Sequence, residues 1–99
     1  MMAYTLVISP VARDDLKQIY QYGALNWGIS RATSYLEHIK EQLWHLTEHP
    51  EMGVMRDELL PAMRSLSVDS HVVFYRLQEL QVQIVRVLHA RQDPQLHIK

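Results

Sequence analysis

The chain has 99 residues, 47% hydrophobic and 21% charged, an ordinary globular balance that suits one domain over 1–99 and excludes a disordered or coiled-coil chain. Ten Lys and Arg against 11 Asp and Glu give a formal net charge of -1, without the basic excess of a protein that holds a nucleic-acid backbone by itself. Cysteine is absent, which excludes disulfides and thiolate metal sites.

The lysines are Lys17, Lys40 and Lys99, and the remaining cations are arginines. Arginine forks suit carboxylates and protein interfaces, so the balance points to protein partners. No stretch reaches the ~18–20 apolar residues needed to span a bilayer. Met1-Met2-Ala3-Tyr4 has no basic character, and the run Leu6 to Ile8 is too short for a signal sequence. The expected location is the cytoplasm, with no membrane association.

In chain order, Tyr4 to Ile8 alternates, Tyr4, Leu6 and Ile8 on one side and Thr5 and Val7 on the other, which predicts a strand. Ser9-Pro10 then starts a helix with a capping hydroxyl and a proline at the first helical position, where a missing N–H is harmless. That helix is predicted over about Pro10 to Trp27. Its stripe is Ala12, Leu16, Ile19, Gly23 and Trp27, and Gly28 ends it. Ser30 reads as the cap of a second helix, about Arg31 to Glu48, with the seam Ala32, Leu36, Ile39, Leu43 and Leu46. His49-Pro50 stops it, because the residue before proline resists helix. So short a connection makes the two helices an antiparallel hairpin.

Residues 51–62 read as irregular, with Gly53 and Pro61 as punctuation. Three strands follow, roughly Met63–Val68, His71–Leu77 and Leu80–Arg91, joined at Asp69-Ser70 and Gln78-Glu79 by tight turns. The expected fold class is α+β in the order β-α-α-β-β-β, the helical hairpin packed on one face of a small antiparallel sheet.

Two-residue turns imply a register in which Leu66 faces Val73, Tyr75 faces Val82 and Val73 faces Ile84. One face then carries Leu66, Val68, Val73, Tyr75, Leu77, Leu80, Val82, Ile84 and Leu88, with Arg64, His71 and Arg86 among them. This is the face expected under the helices, its arginines snorkelling or paired with carboxylates. The other face carries Val72, Phe74, Val85 and Val87 in its middle, Arg76 towards one end and His89 and Arg91 towards the other. A face turned to water should be polar throughout. Either the C-terminal tail covers this patch, or it receives a partner segment.

The histidines His38, His45, His49, His71, His89 and His97 do not repeat at ligand spacing on one face, so no metal or cofactor is expected. Trp44 lies beside the seam of the second helix, as core edge or interface anchor.

Three segments carry a resemblance: Leu59-Leu60-Pro61-Ala62-Met63-Arg64-Ser65-Leu66, His71-Val72-Val73-Phe74-Tyr75-Arg76-Leu77, and Ile84-Val85-Arg86-Val87-Leu88-His89-Ala90-Arg91-Gln92-Asp93. An arginine opening one strand, an aliphatic–aromatic–Arg strand, and an aliphatic run into His-x-Arg-x-Asp resemble ParE-type toxins of the RelE/ParE superfamily. Trp27-Gly28 between the helices and His49-Pro50 after them agree. The resemblance implies the toxin of a type II toxin–antitoxin system, associated with plasmid stabilisation. A ParD-like antitoxin would neutralise it in a hetero-oligomer, and DNA gyrase would be the target. The alternative it implies is a ribosome-dependent mRNA endonuclease of the RelE kind.

Metal-free RNA cleavage needs a base for the 2′-hydroxyl, an acid for the leaving oxygen and cations for the phosphate. Arg64, Arg76, His89 and Arg91 are of the right types. Against it stand the near-neutral charge, the absence of an aromatic after Tyr75, and a register that puts Arg64 and His89 on opposite faces. The reading is therefore a non-enzymatic toxin without sequence-specific nucleic-acid binding of its own. Antitoxin binding is expected at Val72, Phe74, Arg76, Val85, Val87 and Arg91, and target contact at Arg64, His89, Arg91 and the tail.

Overall fold

A computed structural model describes residues 3–98 of the protein. The elements run β1 (Thr5–Ile8), α1 (Pro10–Trp27), α2 (Ile29–Glu48), β2 (Val54–Met55), β3 (Met63–Val68), β4 (His71–Gln78), β5 (Gln81–His89) and α3 (Pro94–His97). The α+β class and the helical hairpin are as expected. The sheet is larger and mixed, with strand order β1-β5-β4-β3-β2. β1 lies parallel to β5, since Thr5 pairs with Gln81 and Ile8 with Ile84, and the hairpin carries the chain from β1 across the sheet to β2 at the opposite edge.

Ser9 caps α1 as its spacing predicts: its Oγ accepts the Ala12 N–H at 3.0 Å. The Ser30 cap is not formed. Gly28 serves both helices, accepting the Ala32 N–H on its carbonyl and giving its own N–H to the Ala24 carbonyl. Its φ of 94° and ψ of 160° belong to a region that essentially only glycine occupies. A Cβ there would meet no atom within 4 Å. Gly28→Ala should therefore cost about 1–3 kcal/mol from backbone conformation alone, read as a lowered urea midpoint.

The two helical seams meet the inner face of the sheet. Ala12 and Leu16 of α1 and Ile39, Leu43 and Leu46 of α2 bury against Val68, Val73, Tyr75, Val82, Ile84 and Val87. Each such side chain contributes roughly 1.5–3 kcal/mol on leaving water. Trp27 does not join this core and is 44% exposed, while Trp44 is 62% exposed.

The register of β3 on β4 is the expected one, Leu66 opposite Val73 and Val68 opposite His71. That of β4 on β5 differs twice. The turn is Glu79-Leu80, with Glu79 at a φ of 56° and Gln78 paired to Gln81. This moves Leu80 out to the turn, 50% exposed, but leaves the inner-facing set otherwise unchanged because the shift is even. Further along, Tyr75 pairs with Ile84 but Phe74 pairs with Arg86, a β-bulge that leaves Val85 as the extra residue. The parity of the strand reverses there. Val87 turns inward into the core, against expectation, and Leu88 turns outward to join Met63, Phe74 and Ile98. The carbonyl of the bulged Val85 accepts the Ser9 hydroxyl at 3.0 Å, so one serine caps α1 and satisfies the irregular strand.

Candidate functional site

The outer face of the sheet is not the open apolar patch that alternation suggested. Phe74 is 2% exposed, because Leu59 and Leu60 from the loop before β3 and Ile98 from the tail pack over it. The guanidinium of Arg56 lies 5.7 Å from the centroid of the Phe74 ring. Of the two coverings considered from the sequence, the chain's own tail holds this position. Val72 and Val85 remain half-buried beside it, and Arg76 stands on the same face opposite Met63 and Gln83. A groove of about 400 Å³ runs along the rim of this face, bordered by Val7, Val11, Leu60, Val85 and Ile98.

Beyond the bulge come Arg86, paired with a carboxylate as expected, and His89. Arg86 donates from Nε and Nη2 to the carboxylate of Asp15 on α1, at 2.8 and 2.9 Å, a bidentate pair that takes up both carboxylate oxygens. Asp15 Oδ2 accepts the Val87 N–H as well, at 2.9 Å. The Asp15 hydrogen bonds raise the Arg86 pKa above its ordinary value. The third arm of Arg86 donates to the His97 carbonyl at 3.1 Å and so ties the tail to the sheet. Asp15 was not among the sequence candidates. It falls on the Ala12–Leu16 seam, and an acid there opposite an arginine on the inner face was the available signal.

His89 lies on the inner side, not the outer, since it pairs directly with His71. Their rings meet edge to face at 5.2 Å, and the series continues through Tyr35 and Trp27 to Tyr22. The Ser70 N–H donates to the Tyr35 oxygen, and the Tyr35 hydroxyl shares a hydrogen bond with His71 Nδ1, 2.6 Å away. His89 Nδ1 accepts the Arg91 N–H at 3.1 Å. With Nδ1 accepting, the His89 proton sits on Nε2. Burial, and then His89, lower the His71 pKa from its ordinary 6.5.

The unfolded chain binds a proton at His71 more readily than the folded one, so this contribution to stability is complete above about pH 6.5 and is lost as the pH falls below it. Unfolding midpoints in urea should drop between pH 7.5 and pH 5.5, and His71→Gln should flatten that drop.

Arg64 is committed elsewhere. Its Nη1 donates to the carbonyls of Gly53 and Glu51, at 2.9 and 3.3 Å, beside Tyr75, whose hydroxyl donates to Pro50 and accepts from Gly53. Arg64 and His89 share the inner side, a correction that the bulge explains, but they stand at opposite ends of the sheet. Their partners Tyr75 and His71 are four residues apart on β4, about 13 Å at strand spacing. Arg91 is exposed just after β5. Lys99, the last residue of the expected target-contacting tail, lies outside the described residues. Among the described residues no helix is long and apolar enough to cross a membrane.

The comparisons with known proteins cover nearly the whole of this arrangement. The family model described as the ParE toxin of the type II toxin–antitoxin system parDE matches residues 6–94. Toxin ParE1 of Mycobacterium tuberculosis is 34% identical over 93 residues, covering 93% of this chain and 95% of that one. Toxin ParE1 of Caulobacter vibrioides is 34% identical over 91 residues, covering 92% and 94%. Among solved structures, a chain of the chromosomal ParDE system from P. aeruginosa superposes with a TM-score of 0.78 at 24% identity, covering 88% of this chain and 96% of that one. E. coli toxin RelE, as a mutant in the free state, superposes with a TM-score of 0.71 at 17% identity, covering 98% and 94%, a likeness of fold alone. The order of elements, the family match and the relatives at a third identity agree: this chain belongs to the ParE toxin family of type II toxin–antitoxin systems.

Proposed function

We propose that the protein is a cytoplasmic toxin that inhibits DNA gyrase without cutting RNA, and that a ParD-like antitoxin neutralises it in a hetero-oligomer. The observation that carries the choice of target is the state of the arginines. Arg56 is held by Glu58 and Ser65, Arg64 by the Glu51 and Gly53 carbonyls, and Arg86 by Asp15 and the His97 carbonyl. An RNA-cleaving site needs cations and an acid–base pair converging on one phosphate. Here these three arginines serve the fold, and Arg64 and His89 lie about 13 Å apart along the strands, too far to converge on one phosphate. The surface left for a target is the end of β5 and the tail, His89 and Arg91 among it.

Purified protein should abolish gyrase supercoiling at near-stoichiometric amounts and leave ribosome-bound mRNA intact. Cleaved mRNA with unaffected supercoiling would reject this reading in favour of the RelE-like endonuclease. Arg91→Glu should weaken gyrase inhibition with an unchanged circular dichroism spectrum, and undiminished potency would remove the end of β5 from the target surface; deleting the tail would also take away Ile98 and the His97 carbonyl, which hold the fold.

For the antitoxin, the half-buried Val72 and Val85 supply apolar area, and Arg76 and Arg91 supply cations for carboxylates. Phe74 becomes available only if the incoming segment displaces Ile98, and Val87 takes no part. Arg76→Glu should lower antitoxin affinity with an unchanged circular dichroism spectrum; wild-type affinity would sink this placement.

A further inference from the structure

Between the second half of α1 and the joined ends of β4 and β5 lies a cleft of about 570 Å³, a volume typical of small-ligand sites. One wall is Ile19, Tyr22 and Trp27, and the other is His71, His89 and Gln92. The Asp15–Arg86 pair closes one side. The cleft exists because of the bulge: without the extra Val85, His89 would face the opposite side of the sheet. Bulges are placed where a side chain must be re-aimed, commonly beside functional sites. Gly23 contributes too. A Cβ there would come within 3.2 Å of the Trp27 ring and 3.1 Å of Ala32, so its absence lets the indole fold back over α1.

The chemistry of the walls narrows the ligand. His89 Nδ1 is occupied as an acceptor and His71 Nδ1 by the Tyr35 hydroxyl, so the nitrogens left to a ligand are the His89 Nε2–H donor and His71 Nε2, on rings whose centroids are 5.2 Å apart. Arg86 spends Nε and Nη2 on Asp15 and Nη1 on the His97 carbonyl, and Asp15 spends both oxygens on Arg86. The cleft therefore offers aromatic surface and imidazole nitrogens with its one buried charge pair already cancelled. A phosphate or carboxylate finds no free cation there, and a purely aliphatic group would leave the donors unmatched.

From this we infer that the cleft binds an uncharged planar heteroaromatic ring with ring-nitrogen or carbonyl acceptors, the chemistry of a nucleobase. The ring packs against Trp27 and Tyr22, accepts from His89 Nε2 and hydrogen-bonds His71 Nε2. The source of the base is either a free nucleoside or a base in a single strand. The inference is independent of the target proposed above.

The test is an NMR titration of the full chain with adenosine, guanosine, cytidine and uridine, and separately with a short single-stranded oligonucleotide. Expected are saturable shifts of the Trp27 indole and the His71 and His89 ring protons, weakened about tenfold by His89→Ala through loss of one donor. The corresponding nucleoside monophosphate should bind no more tightly than its nucleoside. Saturation by nucleosides identifies the free ligand, whereas saturation by the oligonucleotide alone identifies the single strand. Saturation at these rings by neither probe, an affinity unchanged in His89→Ala, or clearly tighter binding of the monophosphate would each overturn the inference. His71→Gln, read by the same Trp27 shift, gives a second variant should His89→Ala fail to fold.

Discussion

Asp15→Ala is expected to cost about 3–5 kcal/mol, the usual result of breaking a buried pair by removing one partner. The carboxylate side chain is 10% exposed and its Arg86 partner 20%. Removing it strands a guanidinium and the Val87 N–H, which Asp15 also holds. Set against the roughly 5–15 kcal/mol total stability of such a domain, this is a large fraction. Chemical unfolding should show a strongly lowered midpoint, with Asp15→Asn in between because it keeps one acceptor. A double replacement, Asp15→Leu with Arg86→Met, should recover part of the loss by converting the pair into apolar contact. A cost below about 1 kcal/mol for Asp15→Ala would show that the pair does not organise the bulge.

Phe74→Asp is expected to abolish folding rather than merely antitoxin recognition. Truncating a buried phenylalanine costs about 3–5 kcal/mol, and an unpaired carboxylate in its place adds several more. Leu59, Leu60 and Ile98 leave water no access to that position. The variant should lack a cooperative thermal transition. Arg76→Glu, two residues along the same strand face, should stay within about 1 kcal/mol of the parent, because Arg76 is only half-buried. A folded Phe74→Asp of near-native stability would mean that the tail does not seal this face.

The readable parts of the fold were those governed by local rules. The Ser9-Pro10 start, the Ala32–Leu46 seam and the Asp69-Ser70 hairpin each follow from spacing and capping, and each stands where the sequence put it. The second helix began two residues before its expected start because Gly28 can adopt a backbone that makes Ser30 unnecessary. The parallel pairing of β1 with β5 was not legible either. It joins residues 76 positions apart, and no local pattern announces a long-range partner.

The site was legible as a set of residue types but not as an arrangement. Alternation assigns faces correctly only while the register is unbroken, and one extra residue at Val85 reverses the assignments of Val87, Leu88 and His89. That single displacement sent Val87 into the core and brought His89 against His71, whereas Arg86 kept the carboxylate pairing expected of it, with Asp15. In the same way Phe74 looked like an exposed anchor because nothing local says that Ile98 returns to cover it.

By itself, then, the sequence determined the class of the fold, the helical hairpin, the β3–β4 register and the likeness to ParE toxins, all carried by periodicity and ordered motifs. Only the tertiary structure decided which face each residue of β5 occupies, which arginines are already engaged, and that the tail seals the outer face. Those depend on contacts between distant segments, where the energy lies in burial and paired charge rather than in neighbouring residues.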